Sequence, residues 1–352
     1  MPDADDLVDE DVLADYLRER LGDADSYSVE RHDQGFSNET LFVTWGEREL
    51  VLRRPPPGAT AETAHDVLRE YRAMDALQDT DVPVPRTVAA CDDDGLMGFE
   101  FYVMERLDGD VLRFSEPGRF SRPGAREEVG RETVETLAAI HNVDFEAVGL
   151  GEFGRPEGFT ERQVERWTKQ IEWAFEETTK ERDVPTLRDV GDWLAENAPS
   201  EHPHALVHGD YKLDNLVFAP GTPPRVAGVL DWEMSTLGDP LCDLGWLLFF
   251  WPMEKDPTHK LGQTFMPNFV KSEGYPSREQ LVDVYVDLTG YDVSDLRFYR
   301  TLAVYKMAGL GEMFYARYLM GHSDSSFYAM MDEGVPLLAE EAMEVVEGDR
   351  PL

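Results

Sequence analysis

The side chains best suited to chemistry lie in two short segments of this 352-residue chain, His208-Gly209-Asp210-Tyr211-Lys212-Leu213-Asp214-Asn215 and Leu230-Asp231-Trp232-Glu233. Asn215 follows Asp210 by five residues, and Asp231 follows it by 21. A carboxylate, an amide oxygen and a second carboxylate are the groups needed to move a phosphoryl group from ATP to a hydroxyl. One carboxylate orients the attacking hydroxyl and accepts its proton, while the other oxygens hold a Mg²⁺ ion bridging the β- and γ-phosphates. Asp210 is the candidate base; Asn215 and Asp231 are the candidate metal ligands. Alone, His-Gly-Asp is an ordinary turn and Asp-Trp-Glu an ordinary strand end. Together, in this order and each beside a short apolar run, they predict a phosphotransfer site.

The elements that must position these loops follow from hydrophobic periodicity. A helix is expected over 10–21, with Leu13, Leu17 and Leu21 on one side. Runs at 27–34, 40–45 and 49–53 predict a β-meander, with Gly46-Glu47 turning between the last two and Pro55-Pro56-Pro57 closing the third. A helix over 62–78 and strands at 86–91 and 99–105 complete a β-rich first lobe. After Gly109 the periodicity becomes helical, at 126–142, 160–178, 184–197, 241–251, 277–289 and 294–319. Short strands at 206–208, 216–218 and 226–230 flank the two chemical loops. The expectation is an α+β fold of two lobes: residues 1–107 bind nucleotide, and residues 108–352 carry the catalytic loop, the metal loop and the substrate site.

The run from Val207 to Leu216 resembles the catalytic loop of the aminoglycoside phosphotransferase and choline kinase superfamily, whose fold is protein-kinase-like. With Val229 to Pro240, it is similar to the kinase domain that is fused to acyl-CoA dehydrogenases in some proteins. Val51-Leu52-Arg53-Arg54-Pro55-Pro56 and the stretch from Phe298 to Arg317 fit the same subfamily, and the likeness extends over about residues 25–340.

This resemblance implies further positions. Arg53, at the end of the third strand, would hold the α- and β-phosphates and pair with Glu70 on the following helix. Protein kinases carry Lys there, but Arg also forms bidentate contacts with carboxylates and phosphates. The alternative is a solvated arginine beside a solvated glutamate. Ser37 and Asn38 lie in the turn that would cover the phosphates, although that turn holds one glycine rather than a glycine-rich run. The Glu105 carbonyl and Leu107 amide would bind adenine. Asp239 and Asp243 would brace the catalytic loop, and His208 would pack beneath it. Glu233 would stand near a second metal or the substrate, and Lys212 would point to the γ-phosphate or to solvent. The acceptor implied is a small molecule bearing a hydroxyl: a hydroxyacyl-CoA or hydroxy acid, or alternatively an aminoglycoside or amino alcohol. Lys306, Arg297, Arg300 and Arg317 are candidates for a basic patch serving an anionic ligand.

Composition narrows the setting. The 71 acidic residues against 33 basic ones give a formal net charge of −38, and only seven of the basic residues are Lys. Such self-repulsion is tolerated where salt screens it, because the Debye length falls to about 3 Å at 1 M. The acid is spread along the whole chain, which suggests a halophilic protein; a cationic partner is the alternative. No basic stripe exists to neutralise nucleic-acid phosphates. Cys91 and Cys242 are too few for a disulfide framework. The acidic N-terminus does not read as a signal peptide. The apolar run 244–253 is far short of the ~20 residues of a membrane span. A cytoplasmic enzyme is expected, with no oligomeric state legible. Two competing functions remain: a catalytically silent nucleotide-binding regulator, and a metal-dependent phosphoesterase using Asp210, Asp231 and His208.

Overall fold

The computed structural model describes residues 7–32, 38–57, 66–254, 256, 266–350 and 352. Strands β1 (Tyr27–Arg31), β2 (Glu39–Trp45), β3 (Arg48–Arg54), β4 (Thr87–Cys91) and β5 (Phe101–Glu105) form an antiparallel sheet in the order β1-β2-β3-β5-β4. The β2–β3 hairpin pairs Trp45 with Arg48. Its tight turn places Gly46 at φ 62°, a conformation that glycine adopts without steric cost.

Because side chains alternate across a strand, each face of this sheet serves a different partner. Leu50, Leu52, Phe101 and Val103 pack with Leu13 and Leu17 of helix α1 (Glu10–Leu21). Val51, Tyr102 and Met104 instead join Val67 and Met74 of helix α2 (Val67–Ala76). Arg53 shares the face of Val51 and stands directly opposite Tyr102 in the β3–β5 ladder. The alternation that fills the core thus delivers a charged and a phenolic side chain to α2. Asp66 caps α2 by accepting from the Arg69 amide at 2.8 Å. Between β4 and β5 lies a short helix, α3 (Asp94–Met97), capped by Asp93.

The second lobe is mainly helical, with α4 (Pro123–His141), α5 (Phe159–Thr178), α6 (Pro185–Asn197), α7 (Leu241–Phe249) and three later helices, Arg278–Thr289, Leu296–Leu319 and Ser326–Glu347. Short strands β6 (Asp110–Val111), β8 (Leu216–Phe218) and β9 (Val226–Val229) make one small sheet, while β7 (Ala205–Val207) pairs with β10 (Thr236–Gly238). The catalytic loop connects β7 to β8 and the metal loop connects β9 to β10, so paired strands hold both ends of the two loops.

Hydrophobic periodicity does not show β6, β10 or the last helix. Two- and three-residue strands are too short for periodicity to register. Pro336 interrupts the last helical pattern, since it cannot donate within the helix. The helix persists because Met331, Val335, Leu338, Ala339 and Ala342 are buried in the main core. Gly311 also lets this helix approach Leu296–Leu319 closely, as a Cβ there would meet the Val335 side chain at 2.9 Å.

Candidate active site

The catalytic loop is anchored from below. Asp243, buried in the first turn of α7, accepts from the backbone amides of His208 at 2.6 Å and Gly209 at 2.8 Å. Burial opposes the Asp243 charge, but its bond to His141 and the two amides together hold its carboxyl below the usual range. Asp239 accepts from the Leu241 amide at 3.0 Å and from the Tyr299 hydroxyl at 2.5 Å. His208 bonds the Leu230 carbonyl through Nε2 at 2.9 Å and the Asp210 amide through Nδ1 at 3.2 Å. Both imidazole nitrogens are therefore spent on backbone, which places His208 under the loop and leaves it no free nitrogen for phosphoester chemistry.

On this base, Asp210 and Asn215 meet directly. Asn215 Nδ2 donates to the Asp210 carboxylate at 3.0 Å and to its carbonyl at 2.8 Å. With the amide nitrogen so committed, Oδ1 of Asn215 is the atom left to face a cation. The Leu230 amide donates to the Asn215 carbonyl at 2.8 Å, so Asp231 begins one residue beyond a direct bond to the catalytic loop. Lys212 forms an ion pair with Asp210, and Trp246 Nε1 donates to Asp210 Oδ1 at 2.8 Å. Desolvation would raise the Asp210 pKa, but Lys212 and Lys306 outweigh it and keep the carboxyl below its ordinary value.

Above this loop, α2 supplies Glu70, which retains 1% of its exposure. Glu70 accepts from Arg53 at 3.3 Å, Asn38 at 2.7 Å and Tyr102 at 2.8 Å. The solvated alternative for the Arg53–Glu70 pair is thereby excluded. Arg53 also lies 3.7 Å from Asp231, so one guanidinium spans the sheet, α2 and the metal loop. Asn38 turns its amide donor inward onto Glu70, away from the role of covering phosphates with that group. Ser37 lies outside the described residues, as does the rest of its turn from 33. Asp231 has φ 66° and is the only non-glycine residue with positive φ among the described residues, a conformation uncommon outside functional turns.

Arg53 Nε and Asp231 Oδ1 are buried without a hydrogen-bond partner among the described residues. One is a cationic donor fit for a phosphate oxygen, and the other is an anionic oxygen fit for a hard cation. Carboxylate oxygens of Glu70, Asp231 and Glu233 lie within 4.8 Å of one another. The donor set fits Mg²⁺ and a polyphosphate.

The interlobe segment is also ordered. The Glu105 amide donates to the Arg86 carbonyl at 2.8 Å and that of Arg106 to Glu49 at 2.9 Å. The Leu107 side chain rests over Gly228 of β9, where an added Cβ would come 2.2 Å from Leu107 Cδ1.

Four basic side chains expected to form one patch do not. Nine residues of helix turn by about 900°, which puts Arg297 and Lys306 on opposite sides. Arg297 stacks on Trp193, Arg300 donates to the Arg350 carbonyl, and Arg317 is exposed further along the helix. Lys306 turns inward, donating to the Gly209 carbonyl at 2.8 Å. Three supporting residues went unseen in the sequence: Trp246, Tyr102 and Arg69. Arg69 reaches from α2 to the carbonyls of Ser235 at 3.0 Å and Phe153 at 2.6 Å, bolting the two lobes together beside Glu70. Trp246 sits within an apolar run and reads as core; Tyr102 was recoverable only from the strand register.

Residues 28–276 match the phosphotransferase enzyme family. The chain belongs to that family. It is 36% identical over 324 residues to acyl-CoA dehydrogenase family member 11 of Rattus norvegicus, covering 90% of this chain and 40% of that protein. It is 33% identical to probable acyl-CoA dehydrogenase IBR3 of Arabidopsis thaliana, covering 85% of this chain and 37% of the relative. The phosphotransferase thus spans about 40% of the length of the curated relatives it matches. Among solved structures, a candidate aminoglycoside phosphotransferase of Ralstonia eutropha superposes with a TM-score of 0.83 at 33% identity, over 97% of this chain and 99% of that one. The aminoglycoside phosphotransferase APH(4)-Ia, solved in a ternary complex with ADP and hygromycin B, shares the fold at a TM-score of 0.58 and 16% identity, over 93% of this chain and 98% of its own. The α+β architecture is the kinase-like fold of these enzymes, and the family membership makes this chain a small-molecule kinase. Among the described residues no helix is long and apolar enough to cross a membrane.

Proposed function

We propose that this phosphotransferase moves the γ-phosphate of ATP to a hydroxyl of a small molecule, with Asp210 as the base. The observation that supports the reading is the Arg53–Glu70–Asp231 cluster, whose loop is tied by the Leu230 amide to the carbonyl of Asn215, the partner of Asp210, while Arg53 Nε and Asp231 Oδ1 stay buried without partners among the described residues. Arg53 holds the α- and β-phosphates, with Glu70 keeping it extended. Ser37 and the Asn38 backbone cover the phosphates, the Asn38 side chain being held on Glu70, and the Glu105 carbonyl and Leu107 amide receive adenine. Asn215 and Asp231 would hold Mg²⁺, which would offset the phosphate charge. Asp210 accepts a hydrogen bond from the acceptor hydroxyl and aims its oxygen at the γ-phosphorus. A new O–P bond forms, the β–γ bridging bond breaks towards ADP, and the hydroxyl proton passes to Asp210 and then to solvent. An anionic Asp210 is a weak base, which suits a reaction that depends on orientation more than on proton abstraction.

On this reading residues 1–107 act as the nucleotide lobe and 108–352 as the acceptor lobe. A hydroxyacyl-CoA or hydroxy acid is the favoured acceptor class, supported by the acyl-CoA dehydrogenase names of the relatives. An aminoglycoside or amino alcohol is the other class. The dispersed acidity supports work in a salt-rich cytoplasm, so the melting temperature should rise as KCl is raised towards molar concentrations. The test is ADP release from Mg-ATP with a panel of hydroxy acids, hydroxyacyl-CoAs, amino alcohols and aminoglycosides in molar KCl. Release stimulated by one class supports transfer. Tight ATP binding with no stimulation by any alcohol favours the silent regulator.

A further inference from the structure

Both carboxylate oxygens of Asp210 are held by this chain's own side chains. Lys212 and Asn215 engage its Oδ2, while Oδ1 accepts from the Trp246 indole at 2.8 Å. Trp246 lies on α7 three residues beyond Asp243, one helical turn along the element that already holds the loop's backbone amides. An indole N–H is a donor only. It can fix an oxygen of the carboxylate, but it can neither take the hydroxyl proton nor supply one.

The indole is itself held. Lys306 Nζ sits 3.8 Å from the centre of its ring and donates to the Gly209 carbonyl at 2.8 Å. A cation over an indole face is attracted by the ring's quadrupole, which resists tilting of the ring plane. Phe249 stacks on Trp246 at 5.9 Å and Phe250 meets it edge-on at 5.0 Å. Lys306, Phe249 and Phe250 thus pack against the indole, and its N–H points at Asp210. Lys306 is one of seven lysines in a chain of net charge −38, yet it is directed inward at a backbone carbonyl and an aromatic face. A role in surface solubility does not account for that placement.

We infer that Trp246 and Lys306 are positioning residues: together they hold the Asp210 carboxylate in one rotation before the acceptor arrives. This rests on Asp210 acting as the base. A plain core role for Trp246 would need its ring and not its N–H, and this separates the two accounts.

The experiment compares wild type with Trp246→Phe, Lys306→Met, Lys306→Arg, Phe249→Leu and Asp210→Asn. ADP release from Mg-ATP is followed with the fastest alcohol of the panel, and melting temperatures are recorded beside it. Trp246→Phe keeps an aromatic ring against Phe249 and Phe250 but removes one hydrogen bond to a charged group. The expected fall in kcat is about tenfold to a hundredfold, with KM for Mg-ATP changed by less than about threefold. Lys306→Met should lower kcat in the same direction, and Lys306→Arg should recover part of it. Phe249→Leu, which loosens the same cluster but keeps the indole N–H, should lower the melting temperature and cost less kcat than Trp246→Phe.

The inference is overturned if Trp246→Phe matches wild-type kcat, if its loss lies in KM for Mg-ATP, or if Phe249→Leu loses kcat equally. Should Asp210→Asn keep full activity, the base assignment itself falls and this inference falls with it. Should Asp210→Asn be inactive while Trp246→Phe is normal, only the positioning role is wrong.

Discussion

Arg53 and Glu70 meet at 3.3 Å across the gap between β3 and α2, with both side chains largely withdrawn from water. Their meeting is a consequence of strand alternation: Arg53 shares a face with Val51, and the core contact of Val51 with α2 brings the guanidinium to the helix. Removing one partner of a buried pair leaves an uncompensated charge, which typically costs about 3–5 kcal/mol. Glu70→Ala is therefore expected to lower the unfolding free energy from urea denaturation by an amount in that range and to weaken Mg-ATP binding. A loss below about 1 kcal/mol would show that the pair is not an internal strut.

Asp243 makes stability depend on acid. Its carboxyl titrates below the ordinary carboxylate range because His141 and two loop amides favour the charged form over the cost of burial. A depressed folded-state pKa contributes stability above the unfolded value, near 4, and that contribution is lost as pH falls through the folded value. The stability advantage of wild type over Asp243→Asn should then be constant from pH 8 to about 5 and shrink below about 4. Unfolding curves in a pH series check this; a gap that widens on acidification would reverse the assignment.

Lys306 is shifted in the same direction, but by burial and in a more alkaline window. Burial lowers its pKa to about 8 against the pull of Asp210 and Asp243. Between about 8 and the unfolded value of 10.5 the unfolded chain binds more protons, so stability gains from this residue as pH rises. The melting temperature of wild type should rise relative to Lys306→Met across that window. Parallel curves for the two proteins would mean that Lys306 titrates as an ordinary surface lysine.

Gly228 leaves room for the Leu107 side chain. A methyl group there would collide with Leu107 Cδ1 at 2.2 Å, and Leu107 is flexible enough to move aside. Gly228→Ala should displace Leu107 from the proposed adenine site, raising KM for ATP several-fold with a small change in melting temperature. Unchanged KM for ATP would place the adenine elsewhere.

Much of this site was legible because its chemistry is concentrated in two contiguous segments. The spacing of Asp210, Asn215 and Asp231 needs no tertiary knowledge, since short strands on either side return the chain to the same place. The Arg53–Glu70 pair was reachable through the resemblance, and the buried reading won over the solvated one because Tyr102 and Asn38 complete the Glu70 shell. What stayed hidden depends on helix phase and on long-range packing. Trp246 looked like one more apolar residue between Leu244 and Phe250. Lys306 was grouped with Arg297, half a helical turn out of phase with it. The last helix was obscured by Pro336, whose local cost is met by apolar contacts that no local pattern displays.

The most direct test follows phosphorus itself. Wild type and Asp210→Asn are incubated with Mg-ATP and the stimulating alcohol, and ³¹P NMR follows the γ-phosphate while nucleotide binding is measured on the same samples. The account predicts a new phosphate-ester resonance in wild type, at least a hundredfold slower formation in Asp210→Asn, and similar ATP affinity in both. An Asp210→Asn protein that forms the ester at the wild-type rate, or a wild type that yields only inorganic phosphate with every alcohol, would contradict it.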